Sequence, residues 1–212
     1  MAWDKLSLRE FIEKVADKNP TPGGGAVSAL VCALAAALNE MVSNLTLARN
    51  DYSDWHAEME RTLENMKEIR LKMLEHIELD IKAFDEVIEA YKMPKETEEQ
   101  KEARKTAIQE ALKKAAKVPY EVCRYSREVL RFAEIVARWG NINAISDAVS
   151  AAELAFGAFQ AAKANVLINL NSIKDEQFVE YMKHELRTLT GEAEGALKAV
   201  KEVAKERGKL GL

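Results

Sequence analysis

Residues that interrupt helices are rare in this sequence and concentrated in one place. The 212-residue chain contains 9 Gly and 4 Pro, and Pro20, Pro22 and Gly23–Gly25 stand together in the segment NPTPGGGAVSALVCALAAAL, residues 19–38. Glycine and proline are the least favourable residues in a helix interior. A chain that has so few of them elsewhere, and that is rich in Ala, Glu, Lys and Leu, is typical of an all-α fold with little or no sheet.

Hydrophobic periodicity divides the chain into about six helices, several of them very long. The spacing predicts helices over residues 6–18, 25–48, 53–91, 97–139, 143–173 and 175–207, with a capping box at Thr97-x-x-Gln100 and a kink or break at Pro119. No repeat or composition shift marks a linker, so we expect a single domain over residues 1–212. Helices this long leave apolar side surface uncovered, which favours an oligomer.

The overall composition and charge favour a cytoplasmic protein that binds neither nucleic acid nor membranes. The net charge of −4 gives no general attraction to nucleic acid or to an anionic membrane. The apolar run from Ala26 to Leu38 is shorter than the about 20 residues that cross a bilayer, so we interpret it as a buried helix. No secretory signal is evident, and Cys32 and Cys123 are expected to be reduced thiols. The three scattered histidines predict no metal site.

Asp80 is a carboxylate on an apolar stripe of the third predicted helix. The stripe steps from Met73 to Ile77 and then to Phe84, and Asp80 lies between the last two, one turn after His76. A carboxylate turned toward a core either pairs with a cation or has its pKa raised by desolvation. A raised pKa would make Asp80 a proton donor and acceptor near neutral pH. The alternative is a purely structural bond to another helix.

A second polar group lies in the fifth predicted helix. Asn143, Ser146 and Asp147 cluster at its start, and Asn165 follows on the same side, about 27 Å farther along the axis. The cluster and Asn165 cannot hold one small group within a single chain, so they belong to different pockets or contact opposite ends of a long ligand. A tightly packed core helix with amides bonded at its ends explains the segment equally well.

The glycine-rich loop before the second helix presents an unhindered backbone. Thr21 and Gly23, Gly24 and Gly25 precede a helix whose N-terminal N–H groups and macrodipole suit a carboxylate or the polar edge of a ring. The loop lacks the Lys-Ser/Thr of a P-loop, so it does not predict a nucleotide site of that kind. A flexible turn is the alternative.

Three separated segments carry a resemblance to a known family. PTPGGGAVSALVCALAAALNEMVSNLT, ELDIKAFDEVIEAYKMPK and GNINAISDAVSAAELAFGAFQAAKANVLINL resemble, in order and spacing, the cyclodeaminase domain of formiminotransferase-cyclodeaminase. They are equally similar to stand-alone bacterial proteins of that family, some of which are methenyltetrahydrofolate cyclohydrolases. The resemblance extends over nearly the whole chain.

The resemblance implies a helical homodimer with a folate site in a cleft near the subunit interface. It implies that Asp80 is the catalytic acid/base, and that the Gly23–Gly25 loop and the Asn143/Asp147 cluster line the site. Glu78 replaces an aspartate of the family motif, which leaves its own role and that of His76 open. The implied reaction converts 5-formiminotetrahydrofolate to 5,10-methenyltetrahydrofolate with release of ammonia and needs no cofactor or metal. Two alternatives stay open: hydrolysis of methenyltetrahydrofolate in the same pocket, and a non-catalytic helical scaffold.

Overall fold

The computed structural model describes residues 3–211 and confirms the all-α fold. Six α-helices make up most of the chain, and the described residues contain no strand. They are α1 (Leu8–Val15), α2 (Gly24–Leu47), α3 (His56–Lys92), α4 (Glu98–Trp139), α5 (Ile145–Leu170) and α6 (Glu176–Gly208). Short 3₁₀ helices span Trp3–Lys5, Asn50–Trp55 and Ile142–Ala144. Residues 1, 2 and 212, which the single-domain prediction also includes, lie outside the described part.

The helices begin where capping residues are available. Ser7 caps α1 and Thr97 caps α4, each in a capping box with the Glu or Gln three residues later, and Asp175 caps α6 through the Phe178 N–H. Gly23 precedes α2 and has no side chain with which to cap it. The first turn of α2 is therefore left with N–H groups that must find partners elsewhere.

Of the kink or break predicted at Pro119, the break is wrong. α4 runs undivided from Glu98 to Trp139 with Pro119 buried inside it. Proline has no N–H to donate to the carbonyl four residues earlier, which here belongs to Ala115. The side-chain amide of Asn169, on α5, donates to that carbonyl at 3.2 Å. Because this bond replaces the missing helical one, the helix passes the proline without a break.

α2 and α5 form an antiparallel pair at the centre of the bundle. Gly24 lies beside Asn165 at one end, and Asn141, just before α5, donates its N–H to Thr46 at the other. α3 also runs antiparallel to α2, since Glu40 pairs with Arg70 whereas Gly25, earlier in α2, lies against Asp80, later in α3. At 37 residues α3 is longer than the 24-residue α2, so the part of α3 that follows Asp80 extends past the start of α2 and leaves a gap there.

The length argument against a membrane span does not hold for α2 as it folds. The helix continues past Leu38 to Leu47, and its length and composition would suit a bilayer span. Just over half of its most apolar window is buried inside the protein. That burial is what a core helix shows, in agreement with the buried helix expected from the sequence.

Candidate active site

A cavity of about 300 Å³ lies in the gap at the N-terminal end of α2. Helices α3, α4 and α5 form its other walls. The lining residues are Pro20, Thr21, Gly23, Gly24, Gly25, Asp80, Ala83, Phe84, Val87, Ala115, Asn165, Ile168 and Asn169. Asp80 is the one ionisable side chain among them. The cavity therefore combines apolar walls, amide groups and a single acid.

Asp80 carries a raised pKa because it is largely removed from water. Desolvation raises its pKa from 3.8 to about 6, and a hydrogen bond from the Ala26 N–H partly opposes that rise by stabilising the charged form. Ala26 lies in the first turn of α2, so the carboxylate occupies the place that an N-cap side chain would fill. The acid is thus held at the positive end of a helix and still titrates near neutral pH.

The glycines of the loop serve close approach and not an unusual backbone conformation, since no glycine among the described residues has a positive φ. A Cβ at Gly25 would overlap the carboxylate of Asp80. A Cβ at Gly24 would stand 3.0 Å from Nδ2 of Asn165. The close contacts of Gly24 with Asn165 and of Gly25 with Asp80 both depend on residues without a side chain at the start of α2. Glycine at these positions lets the helix end, the acid and the amide share one small space.

Two asparagines on α5 complete the polar lining. Asn165 donates to the Ala161 carbonyl of its own helix at 2.9 Å, and within the described chain its Oδ1 accepts no hydrogen bond. That oxygen is available to a donor in the cavity. Asn169 is fixed by its bonds to the carbonyls of Ala115 and Asn165, at 3.2 and 2.9 Å. Asn169 was not predicted from the sequence; its spacing of four from Asn165 and the buried proline in α4 were the available signals.

The structure brings together one part of the predicted site. Thr21, the three glycines 23–25 and Asn165 line the cavity around Asp80. Asn143, Ser146 and Asp147 lie at the opposite end of the α2–α5 pair and do not line it. Asn143 and Ser146 are exposed and Asp147 is half-buried. Their separation from Asn165 agrees with the distance expected from helix geometry, and their part in a site stays a prediction.

Two residues near Asp80 in sequence point elsewhere. The Nδ1 atom of His76 lies 2.7 Å from the carbonyl oxygen of Lys72, and the ring packs edge-on against Tyr125. Glu78 is exposed and lines a separate groove of about 520 Å³ with Glu75 and Lys82. Neither side chain lines the Asp80 cavity, so its lining contains no second acid and no histidine.

No group of three His, Cys, Asp or Glu side chains within residues 3–211 is placed to hold a metal ion. Both cysteines are free and buried, and burial raises the pKa of each thiol to about 12. At neutral pH they are inert thiols. The chemistry that the cavity itself offers is proton transfer by one carboxyl, with main-chain N–H groups and amides to hold a polar ligand. The fold and the site define a helical protein with an acid–base centre at a bare helix N-terminus.

Comparison with known proteins agrees with the resemblance found in the sequence. Residues 7–188 match the family described as Formiminotransferase-cyclodeaminase. The chain therefore belongs to the formiminotransferase-cyclodeaminase family. A methenyltetrahydrofolate cyclohydrolase from Methylorubrum extorquens is 42% identical over 90% of this chain and 91% of its own length.

Two further relatives show that this chain corresponds to nearly the whole of the matched chain in one case and to part of a longer protein in the other. The crystal structure of a formiminotetrahydrofolate cyclodeaminase from Thermotoga maritima superposes with a TM-score of 0.88 at 42% identity, covering 96% of this chain and 98% of that one. The formimidoyltransferase-cyclodeaminase of Mus musculus is 34% identical over 92% of this chain, which spans 38% of the mouse protein.

Proposed function

We propose that this protein is a folate one-carbon enzyme that converts 5-formiminotetrahydrofolate to 5,10-methenyltetrahydrofolate and releases ammonia, with Asp80 as the general acid/base. One observation carries the proposal: a lone carboxyl whose pKa is about 6 lies in a cavity at the bare N-terminus of α2. Membership of the formiminotransferase-cyclodeaminase family and the similarity to the Thermotoga maritima cyclodeaminase support the choice of substrate.

The reaction needs one proton to move twice. Starting from the cationic formimino group on N5, N10 attacks the formimino carbon, a C–N bond forms, and the N10 proton passes to the carboxylate of Asp80. The protonated carboxyl then gives that proton to the amino group, the bond from carbon to that nitrogen breaks, and ammonia leaves the methenyl cation. A carboxyl with a pKa near the working pH serves both steps. No electrons are transferred, so the reaction needs no redox cofactor, and we propose that it also uses no metal.

Methenyltetrahydrofolate cyclohydrolase activity is the second candidate, favoured by the identity of 42% to the Methylorubrum extorquens enzyme. Water would replace the amine: Asp80 would take a proton from water as its oxygen bonds to the same ring carbon. It would return that proton to one ring nitrogen as the bond from that nitrogen to the carbon breaks, while the hydroxyl proton of the adduct passes to solvent and the formyl C=O forms. Both reactions use one acid/base next to one carbon. The name lyase or hydrolase therefore depends on which substrate the protein turns over.

The test supplies each folate in turn and follows the methenyl absorbance. A cyclodeaminase produces the methenyl chromophore together with ammonia, whereas a cyclohydrolase removes the chromophore faster than the spontaneous rate. Asp80→Asn should keep the fold and lower the rate at least about 30-fold, which corresponds to about 2 kcal/mol of transition-state stabilisation. Absence of turnover with either folate would favour the scaffold alternative, and an Asp80→Asn protein that retains full activity would overturn the role of Asp80.

We also propose a homodimer that pairs the exposed faces of α2 and α5. The face of α2 repeats every three or four residues and contains Val27, Val31, Leu34, Leu38, Met41 and Leu45. Leu34, Met41 and Leu45 are exposed by 52%, 37% and 44%. The neighbouring face of α5 is small and apolar, with Gly157, Ala161 and Ala164 between Leu154 and Ile168. An apolar face of this size on the most hydrophobic helix suits a second copy of the chain.

The area available agrees with what a stable dimer needs. A helix of 24 residues is about 36 Å long, and two neighbouring helices are about 20 Å across, which gives on the order of 700 Å² per subunit. Specific interfaces bury about 800 Å² per partner. Changing Leu34 and Met41 together to Lys should produce monomers by analytical ultracentrifugation. The matched control changes Tyr181, an exposed residue of α6, to Lys and should remain dimeric.

The proposed dimer can bring Asn143, Ser146 and Asp147 to the Asp80 cavity, although they lie far from that cavity within a single chain. A two-fold axis across α2 and α5 sets each helix antiparallel to its own copy. The Asn143, Ser146 and Asp147 end of one subunit then faces the Asp80 cavity of the other. A two-fold axis parallel to the helices would leave these groups at opposite ends. We propose the first arrangement because it reconciles the implied role of the cluster with its distance from Asn165.

Mixed dimers test this arrangement directly. An Asp80→Asn dimer should be inactive and an Asp147→Asn dimer impaired. If each site uses the Asp80 of one subunit and the partner's Asp147, mixed dimers contain one intact site, and an equal mixture of the two variants recovers about a quarter of wild-type activity. No recovery on subunit exchange, with exchange shown by native mass spectrometry, would reject the arrangement.

We further propose a cytoplasmic location, with neither nucleic acid nor membrane as a partner.

A further inference from the structure

A second groove, of about 280 Å³, lies between α5 and α6 and shares no residue with the Asp80 cavity. Its lining residues are Lys163, Leu167, Lys183, Leu186, Arg187 and Thr190. Three of the six are cations. Leu167 and Leu186 supply an apolar surface between them. The proton transfers proposed for Asp80 involve no residue of this groove.

Lys163 is the unusual cation of the groove. It is partly buried, and its Nζ has one partner, the hydroxyl of Thr190 at 3.0 Å. Every other partly buried Lys or Arg in the described chain contacts a carboxylate or a main-chain carbonyl. Arginine and lysine are rarely buried unless paired. Among residues 3–211, Lys163 is therefore the partly buried cation that forms no ion pair with a carboxylate and no hydrogen bond to a carbonyl.

The other two cations strengthen the positive field. Arg187 is exposed and has no acidic partner among residues 3–211. The Nζ atom of Lys183 forms an ion pair with the carboxylate of Glu180 at 3.2 Å. The planar guanidinium of arginine suits the two oxygens of a carboxylate. The groove thus offers two uncompensated cations above an apolar floor.

We propose that this groove binds the carboxylate of a ligand that has an apolar or aromatic body. The carboxylate would contact Lys163 and Arg187, and the body would pack on Leu167 and Leu186. Two sources share this chemistry. One is the p-aminobenzoylglutamate part of the folate substrate, a source that rests on the proposed function. The other is a separate carboxylate effector.

The first experiment measures binding without turnover, so that it stands even if neither folate is a substrate. p-Aminobenzoylglutamate is titrated into the full-length protein by calorimetry, with the uncharged p-aminobenzamide as the comparison. Changing Lys163 and Arg187 together to Met should weaken binding of the glutamate compound at least about tenfold, because charged hydrogen bonds are lost. Binding should also weaken with salt, and Lys163→Arg alone should retain most of the affinity.

The matched control uses the other groove between α5 and α6, which Lys198 and Lys205 line. Changing both of these to Met removes the same charge and should leave the affinity within about twofold. Circular dichroism checks the fold of each variant. The proposal is overturned if the wild-type protein does not bind p-aminobenzoylglutamate, or if both double variants bind it as the wild type does.

Kinetics with the folate substrate then separates the two sources. A higher KM with unchanged kcat in the Lys163/Arg187 variant would assign the groove to the substrate's glutamate part. An unchanged KM, together with weakened binding of p-aminobenzoylglutamate, would assign it to a separate carboxylate ligand. Either result supports the groove as a carboxylate site.

Discussion

The backbone of Gly25 fills the space beside the carboxylate of Asp80, leaving no room for a Cβ between them. The next residue, Ala26, donates its N–H to that carboxylate. An acid from the middle of α3 therefore caps a helix that has no capping side chain of its own. The contact connects the glycine loop with Asp80, two features that the sequence analysis treated independently.

We expect Gly25→Ala to damage both stability and activity. The added methyl group overlaps Asp80, and relieving the overlap should cost about 1–3 kcal/mol of stability. Thermal unfolding followed by circular dichroism should show a melting temperature lower by a few degrees, at about 2–4 °C per kcal/mol.

Gly191→Ala is the matched control, since Gly191 is an exposed helical residue of α6 where a Cβ meets nothing within 4 Å. That change should stabilise the protein by about 0.5–1 kcal/mol and leave activity intact. Equal melting temperatures for the two variants would show that the close packing of Gly25 on Asp80 is not the reason for glycine at position 25.

The pH dependence of the reaction should report Asp80. In the proposed reaction the ionised form accepts the N10 proton, so kcat/KM should rise as pH increases through about 6, the pKa of this carboxyl. Asp80→Asn should lose both the rate and this limb of the profile. Glu78→Gln, two residues away and directed into another groove, should keep both. A limb near pH 6 that survives in Asp80→Asn would assign it to a different group.

Stability should depend on pH in the opposite sense to activity. Asp80 has a pKa of about 6 when folded and an ordinary value of 3.8, so between these values the folded state binds more protons than the unfolded state. The free energy of unfolding therefore falls as pH rises from about 4 to 6, by at most about 3 kcal/mol from this group.

Asp80→Asn removes that loss, since asparagine is neutral throughout. Its stability advantage over the wild type should be small near pH 4, widen up to about pH 6 and then stay constant. Urea unfolding at a series of pH values measures the difference. An advantage that does not change with pH would mean that desolvation does not raise the pKa of Asp80.

Asn169 and Pro119 should show coupled effects on stability. Asn169→Ala leaves the Ala115 carbonyl without its donor and should cost about 1–3 kcal/mol. Pro119→Ala restores a main-chain N–H four residues after Ala115, so in that background the Asn169→Ala change should cost less. A double-mutant cycle gives the interaction energy between the two positions.

Asn65→Ala is the control for the asparagine cycle. Asn65 donates its side-chain amide at 2.7 Å to Arg61 of its own unbroken helix, and its loss should be close to neutral in both backgrounds. Independent effects of the Asn169 and Pro119 changes would contradict the replacement of the missing helical bond.

Local rules predicted most of the helices, because their causes lie within a few residues. The capping box at Thr97 and the apolar stripe that contains Asp80 both appear in the structure. The undivided passage of α4 through Pro119 was not predictable in this way. It depends on Asn169, which is 50 residues away along the chain, and helix propensity contains no such information.

The site was predictable to the same degree. Asp80 and the glycine loop carry local signals, a polar residue on an apolar stripe and bare backbone before a helix. The apolar walls of the cavity, such as Phe84 and Ile168, are indistinguishable in the sequence from ordinary core residues. The extent of the gap depends on the difference in length between α2 and α3, which becomes meaningful once the two helices are known to pair.

Because Asp80 caps α2, its protonation also affects the start of that helix. When the carboxyl gains a proton, its hydrogen bond from the Ala26 N–H weakens, and when the proton leaves, the bond is restored. The coupling also works in reverse: a replacement that removes the Ala26 N–H bond should raise the pKa of Asp80 further, because that bond stabilises the charged form.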